Sequence, residues 1–310
     1  MAVSDTDQPQ LDEHVFLIGR PPLEEYLGFL TIQAAEGQKA DTRILADEWR
    51  AANNHISELE VREAGWADYP QIAPLPPALE PLRTQVLADQ MFQRSFSLVP
   101  SNIGVVELDR LVVFQKSINL THVHRIQETL SAPPSKEEIF RICLPFDHPQ
   151  PAVRGARITN NSYVFVSPSN DLRFLETILL EPSQITNYSP QGPIAGAVGL
   201  IVGFGANYLQ AIYAENRLIL GNGSHRAYAL RELGITHVPC VIQHVSRREE
   251  LILTGAPDVQ QNPNLYLRSP RPPLLKDYFN PKLRKLVAVP QRQRQVKITF
   301  GIEQVDIPAT

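Results

Sequence analysis

Asn216-Arg-Leu-Ile-Leu-Gly-Asn-Gly-Ser-His-Arg-Ala-Tyr-Ala-Leu-Arg-Glu-Leu-Gly-Ile-Thr-His-Val-Pro-Cys-Val-Ile-Gln243 is the stretch whose reading decides the fold. Leu218, Ile219 and Leu220 are a short apolar run fit for a buried strand. Gly221, Asn222 and Gly223 then favour a tight turn. From Ser224 the pattern turns helical, with Ala227, Ala229, Leu230 and Leu233 on an apolar face, Ser224 as N-cap and Gly234 as stop. A second strand, 238–242, follows at once, and Pro239 falls near its start, where a missing N–H does least harm.

A strand that ends in a glycine turn and opens a helix aims several backbone N–H groups, and the positive end of the helix dipole, at one spot. Such a corner is suited to an anion. His225 and Arg226 in the first turn add an imidazole and a fork of guanidinium donors. The pattern alone is equally compatible with an ordinary corner that leaves Arg226 on a solvated face. Two phosphate fingerprints fail. Gly221 and Gly223 give G-x-G, but Arg226 stands where the dinucleotide motif needs glycine, and no Gly-Lys-Ser/Thr completes a Walker loop.

With these residues the segment resembles the nucleotide-binding core shared by ParB N-terminal domains, sulfiredoxins and free-serine kinases. The ParB form, Gly-Glu-Arg-Arg-x-Arg-Ala, is matched at Gly221, Arg226 and Ala227, with Asn222 and Gly223 in place of the acid and first arginine. The sulfiredoxin form, Gly-Gly-Cys-His-Arg, is matched at Gly223, His225 and Arg226. Ser224 fills the redox cysteine's place, and a hydroxyl forms none of the sulfur intermediates of sulfinic-acid repair. The resemblance implies an α+β fold: a ParB/sulfiredoxin-like core of a small mixed sheet with flanking helices. It also implies phosphate binding, with Gly221, Asn222, Gly223 and Ser224 as cradle and His225 and Arg226 as contacts. Its first shared box corresponds to the strand expected within 102–114 and the helix after Thr121, which is expected to bury Val123, Ile126 and Leu130. By resemblance, Lys116, His122, His124 and Arg125 lie close to the phosphates. The general-base glutamate of the free-serine kinases has no clear counterpart, so the catalytic residues are unknown.

The chain has 310 residues, 43% of them hydrophobic and 20% charged, the composition of a core-forming protein. Its charge is uneven. Residues 1–100 hold 7 Lys/Arg against 16 Asp/Glu, net −9, and residues 245–310 hold 11 against 6, net +5. Solvated faces are the default expectation for the acidic front and basic tail; the alternatives are contact between the two, or a partner (a protein at either region, an anionic one at the tail). The division expected is a mostly helical acidic extension over 1–95, the nucleotide-binding core over 96–250 with an insertion at about 147–195, and a proline-rich basic arm over 251–310.

Cys143 and Cys240 sit in apolar surroundings and read as buried thiols of an intracellular protein. The polar, acidic start does not read as a signal sequence. The longest uncharged apolar stretch, 194–206, has 13 residues, below the ~17–20 that span a bilayer. A cytoplasmic location without membrane contact is therefore expected. His122 and His124 would point apart on a helix, and no Cys or Glu at ligand spacing completes a site, so no protein-held metal is expected.

Along the chain, 1–13 reads as disordered, 16–19 as a short strand or tether, and 23–35 and 41–63 as helices. Residues 67–81 read as a proline-rich linker and 81–92 as a helix. Ser135-Lys-Glu-Glu has the shape of a capping box, with a strand expected over 141–145. Residues 208–213 and 216–220 read as a hairpin around Glu215-Asn216. The region after 243 is too proline-rich for the DNA-reading helix pair of ParB, so a nucleic-acid partner is not expected. The function implied is binding of a nucleoside di- or triphosphate with Mg²⁺, with phosphotransferase or nucleotidase chemistry open. The alternative is a non-enzymatic, nucleotide-gated protein-interaction module.

Overall fold

The computed structural model describes residues 10–35, 41–148, 150–189, 191–254 and 257–308. In chain order the front of the chain forms β1 (Leu11–Leu17), α1 (Leu23–Ile32), α2 (Thr42–Arg62), β2 (Ile72–Ala73), α3 (Glu80–Ala88) and α4 (Gln90–Ser95). Then come β3 (Ser101–Glu107), β4 (Ser117–Asn119), α5 (Leu120–Gln127) and α6 (Lys136–Cys143). Four strands follow, β5 (Arg154–Thr159), β6 (Ser162–Ser167), β7 (Leu172–Leu180) and β8 (Ala197–Phe204). The hairpin β9 (Gln210–Ala214) and β10 (Arg217–Asn222) leads to α7 (Ser224–Glu232) and β11 (His237–His244). Short helices α8 (Pro257–Gln261) and α9 (Pro263–Leu267) precede β12 (Arg284–Pro290) and β13 (Arg294–Thr299).

The fold is mixed α+β with four small sheets among the described residues. Two compact units result, one of Met1–Asp147 with Asn207–Gln291, the other of His148–Ala206 with Arg292–Thr310. This differs from the expected division at 95/96 and 250/251. The expected insertion is the start of a unit of its own, and the two termini do not form separate extensions.

In the larger unit, a five-stranded sheet in the order β10-β9-β11-β3-β2 carries the decisive stretch. β11 runs antiparallel to β3 and parallel to β9, so the sheet is mixed. Pro239 is tolerated because pairing with β9 begins only at Val241. The β9–β10 hairpin turns at Glu215 and Asn216, both with positive φ, the twist that suits a two-residue hairpin loop. α7 is buried almost all round, at Ala227, Tyr228, Ala229 and Leu230, whereas Leu233 is exposed. Its end is a Schellman motif: Ile235 N–H donates to Leu230 O and Gly234 N–H to Arg231 O, with Gly234 at φ +82°.

The front of the chain is mostly helical, as expected, but it is part of the larger unit and not a separate extension. β1 is the central strand of a second sheet, β12-β1-β4, so residues 11–13 are strand, while 1–9 lie outside the described residues. Val15, Phe16 and Leu17 are buried there, and Phe16 joins Tyr26, Leu30, Leu45, Ile56, Leu59 and Val287 in one core. α2 presents Leu45, Ala52, Ile56 and Leu59 to that core at helical spacing, and Asp41 caps it by accepting the Arg43 N–H at 2.8 Å. Within 67–81, the expected linker, Ala67, Leu75 and Leu79 are buried and Ile72–Ala73 pairs with β3. The capping box at Ser135 and Glu138 is present, but the helix runs on to Cys143, where a strand was expected.

Nor is the tail a free basic arm. Arg271 is 1% exposed; it pairs with Asp277 at 2.5 Å and with Glu63 at the end of α2 at 3.1 Å. Lys276 reaches the same Glu63 at 2.9 Å and lies over the Trp66 ring at 3.8 Å, and Lys285 pairs with Glu48 at 2.6 Å. Arg248 and Arg268 both hold Glu215. The acidic front and basic tail are therefore in contact inside one unit, through pairs whose desolvation is offset by multiple hydrogen bonds. Arg271 and Asp277 are enclosed, whereas Arg268 keeps 67% of its side-chain surface exposed.

The smaller unit has two sheets, β13-β6-β5 and the hairpin β7-β8. Leu172 is the single buried apolar side chain among its described residues; Ser162 and Ser167 are the other buried residues. No helix in either unit is long and apolar enough to cross a membrane, among the described residues.

Candidate functional site

The strand–turn–helix corner forms where the sequence places it. β10 meets a register shift between Leu220 and Asn222, which leaves Gly221 as the bulged residue beside Gln210. A Cβ at Gly221 would stand 3.3 Å from Gln210 Nε2, so its missing side chain serves the strand pair. Gly223 adopts φ +91° and is the N-cap of α7; Ser224, expected as the cap, is the first helical residue and is buried. A side chain at Gly223 would meet Leu209 Cα at 3.1 Å as well as strain the backbone.

No side chain caps α7. α2, α4, α5 and α6 are each capped by one, from Asp41, Asp89, Asn119 and Ser135. In the first turn of α7 the Ser224 and His225 amides have no acceptor among the described residues. The Gly223 N–H donates to Asn222 Oδ1 at 2.8 Å. Two directed amides and the helix dipole are thus left without a protein acceptor at this end.

His225 is the best-defined side chain of the site. Its Nε2 accepts the Asn119 N–H at 3.1 Å, so the neutral ring carries its proton on Nδ1. Burial, then the charges of His122, His14 and Arg226, hold its pKa down to about 3. The ring is therefore a neutral donor over the whole physiological range. His122 lies edge-on to it, ring centroids 5.1 Å apart, at an exposed position of α5. Crowding by the surrounding protein, then Arg125 and Arg226, lower the His122 pKa, while Asp12 acts the other way.

Two further members come from β1 and were not anticipated. His14 pairs across the sheet with Asn119, and its Nδ1 is buried with no partner among the described residues. Burial lowers its pKa and Asp12 opposes that. Asp12 accepts the Asn119 Nδ2–H at 2.8 Å and the Gln291 Nε2–H at 2.8 Å. Asn119 in turn caps α5 by accepting the His122 N–H at 2.9 Å, so the helix expected after Thr121 already begins at Leu120. An Asn immediately before an apolar helical run is an N-cap signal in the sequence. The link from residues 12 and 14 to residue 225 has no sequence signal, because it exists only once β1 pairs with β4.

Arg226 takes a different part from the one expected. It is 7% exposed, and its Nη1 donates to the carbonyls of Asn207 at 2.6 Å, Ile142 at 3.1 Å and Cys143 at 3.4 Å. Residues 142 and 143 end α6, so the guanidinium ties off terminal carbonyls at the negative end of that helix. It is a clamp between α7, α6 and the start of the β9 region. The same charge bears on the buried Cys143, whose thiol burial nonetheless pushes up to about 12; Cys143 and Cys240 are both buried and unbridged.

Lys116 and His124 are not brought to the corner. The Lys116 ammonium pairs with Glu25 of α1, and His124 is an exposed residue of α5. Among the described residues no group of three or more His, Cys, Asp or Glu is arranged to hold a metal ion. The site thus consists of the open α7 terminus, the Gly221–Gly223 turn, and the His14, His122 and His225 imidazoles, with the His225 ring held by Asn119 and Asn119 held by Asp12. No protein-family model, no curated protein and no solved structure matches the chain.

Proposed function

We propose that the α7 corner binds the phosphates of a nucleoside di- or triphosphate, as a ParB/sulfiredoxin-like site would. The observation that carries the reading is the uncapped first turn of α7, with the Ser224 and His225 amides open beside the Nδ1–H of a neutral His225. Neutral donors and a helix terminus suit an anion that arrives with its own counter-ion. Mg²⁺ in this reading travels on the phosphates, and Asp12 is the carboxylate beside the imidazoles that would meet its water shell. The order of elements supports the resemblance: strand β3, helix α5, then β10, the glycine turn, α7 and β11. Arg226 has no part in ligand contact here; it fixes the helix that makes the contact.

Binding is the extent of the proposal. Both oxygens of Asp12 accept side-chain hydrogen bonds, which favours an orienting role over that of a general base and so favours a nucleotide-gated module over a phosphotransferase. The test is a thermal-shift panel of ATP, ADP, CTP, GTP and pyrophosphate, with and without Mg²⁺, on the full chain and on His225→Asn. A ligand at 100 times its Kd stabilises the folded state by ~2.7 kcal/mol. The expected result is a shift in wild type that is lost in His225→Asn. Failure of every nucleotide and of pyrophosphate to shift the wild type sinks the reading. Phosphate release on saturable binding would select an enzyme instead of a module.

A further inference from the structure

The smaller unit has strands of high apolar content and almost no core. In the β7–β8 hairpin, Leu172 stands opposite Phe204, Phe174 opposite Val202, Thr177 opposite Leu200 and Leu179 opposite Val198. Cross-strand partners share a face, so one side of the hairpin is apolar along its length. Leu179 is nevertheless 74% exposed, Val198 67% and Phe174 45%. A two-stranded hairpin is marginal by itself in water.

The unit has four sheet edges, and three carry the devices that deter strand addition. β5 bears Arg154 and Arg157, and β13 bears Arg294 and Lys297. β7 has Arg173, Glu176 and a register shift between Phe174 and Glu176, and Arg294 Nε donates to the Leu172 carbonyl at 3.4 Å. β8 has none of them. Its sequence, Ala-Val-Gly-Leu-Ile-Val-Gly-Phe, contains no charge and no proline, and no backbone hydrogen bond reaches its outer side among the described residues.

We infer that β8 is the seam of a symmetric dimer, in which it pairs antiparallel with β8 of a second copy of this chain. With the twofold axis through Ile201, Leu200 faces Val202, Gly199 faces Gly203 and Val198 faces Phe204, each across the copies. Side-chain faces match in this register, and the apolar face continues through a four-stranded sheet in which each seam residue gains an apolar lateral neighbour. Charge selects the edge. β8 meets β8 without a like charge, and an acidic or basic strand would find no counter-charge in it, whereas β5 on β5 would bring together strands that each carry two arginines and no acid. The eight residues of β8 span about 27 Å at ~3.4 Å each, so the seam is a single short strand edge. The dimer is therefore concentration-dependent.

The test is sedimentation equilibrium of the full chain over a concentration series, with hydrogen exchange read at the two ends of the series. The dimer fraction rises with concentration, and amides within 197–204 slow by about tenfold or more as it does, the mark of a newly bonded edge. Ile201→Lys and Ile201→Glu are each monomeric throughout, and their equimolar mixture dimerises because opposite charges then meet at the axis. Ile158→Lys, on the edge of β5, leaves the dimer intact. Three results overturn the inference: a wild type monomeric at every concentration, a dimer unchanged in both Ile201 variants, or protection of 197–204 gained only when lipid vesicles are added to a monomeric chain. If the Ile201 variants do not fold, the wild-type exchange series decides alone.

Discussion

Leu218–Leu220 in the larger unit and Leu200–Val202 in the smaller are both three-residue runs of aliphatic strand. The first run is fully enclosed, with Leu218 and Ile219 at 0% exposure, and the second is only half-buried. Their composition does not separate them. The difference is what lies above the sheet. Val112, Ile212 and Ile219 are covered by Leu251, Val259, Tyr266, Leu267 and Leu274, which come from the short helices and loops after 248. The smaller unit has one 3₁₀ turn, Pro182–Gln184, and no α-helix among its described residues. A sheet buries its apolar face only against a second layer, and this part of the chain supplies no helix to act as one.

The contrast is sharpest where charge is buried. Asp277→Asn leaves Arg271 with Glu63 alone in a fully enclosed site, and the expected cost is about 3–5 kcal/mol. Denaturation followed by Trp49 and Trp66, both in the larger unit, measures it. A cost under about 1 kcal/mol would mean that the tail is not locked to α2 as described. Arg226→Ala strips three carbonyls of a charged donor and is expected to cost about 1–3 kcal/mol on the same signal. A neutral outcome would return Arg226 to the list of ligand contacts.

The third expectation concerns pH. His225 titrates at 6.5 when unfolded and near 3 when folded, so between these values the unfolded chain binds the extra proton. Its contribution to stability is complete above pH 6.5 and is lost as pH falls toward 3, with a slope of up to about 1.4 kcal/mol per pH unit. His14 and His122 act in the same direction, since both are lowered too. In His225→Gln the stability profile between pH 6.5 and 4 should be flatter than in wild type; an unchanged slope would show that the ring is not enclosed by its neighbours. The smallest effect belongs to the other side of the comparison. Leu179→Ala, at a 74% exposed position, should change the tryptophan-detected stability by less than about 0.5 kcal/mol. A larger loss would mean that the hairpin contributes to the stability of the larger unit.

The corner was legible because its causes are local. Gly221, Gly223 and Gly234 are each tied to a bulge, a cap or a C-terminal motif, and the Glu215-Asn216 turn needs only the residues that form it. The capping boundaries of α2 and α6 were legible for the same reason. The carbonyl contacts of Arg226 were not legible, because an arginine in a first helical turn looks identical whether its guanidinium faces an anion or the end of another helix. The carbonyls that receive it belong to residues 142, 143 and 207, which no local pattern relates to 226. The pairing of Lys116 was hidden likewise, since Glu25 reaches it from a helix some ninety residues earlier.

By itself, then, the sequence determined the strand–turn–helix corner, the two front helices and the hairpin that delivers the chain to the corner, all from dihedral preference, capping and periodicity, while the mixed α+β class came with the resemblance. Only the tertiary structure decided that the N-terminal strand brings Asp12 and His14 to His225, that the basic tail is locked to the acidic front, and that the smaller unit is left without a core. Each of these is a pairing between distant segments. Its energy depends on which neighbours exclude water from a charge or an apolar face, and that is a property of the packed chain.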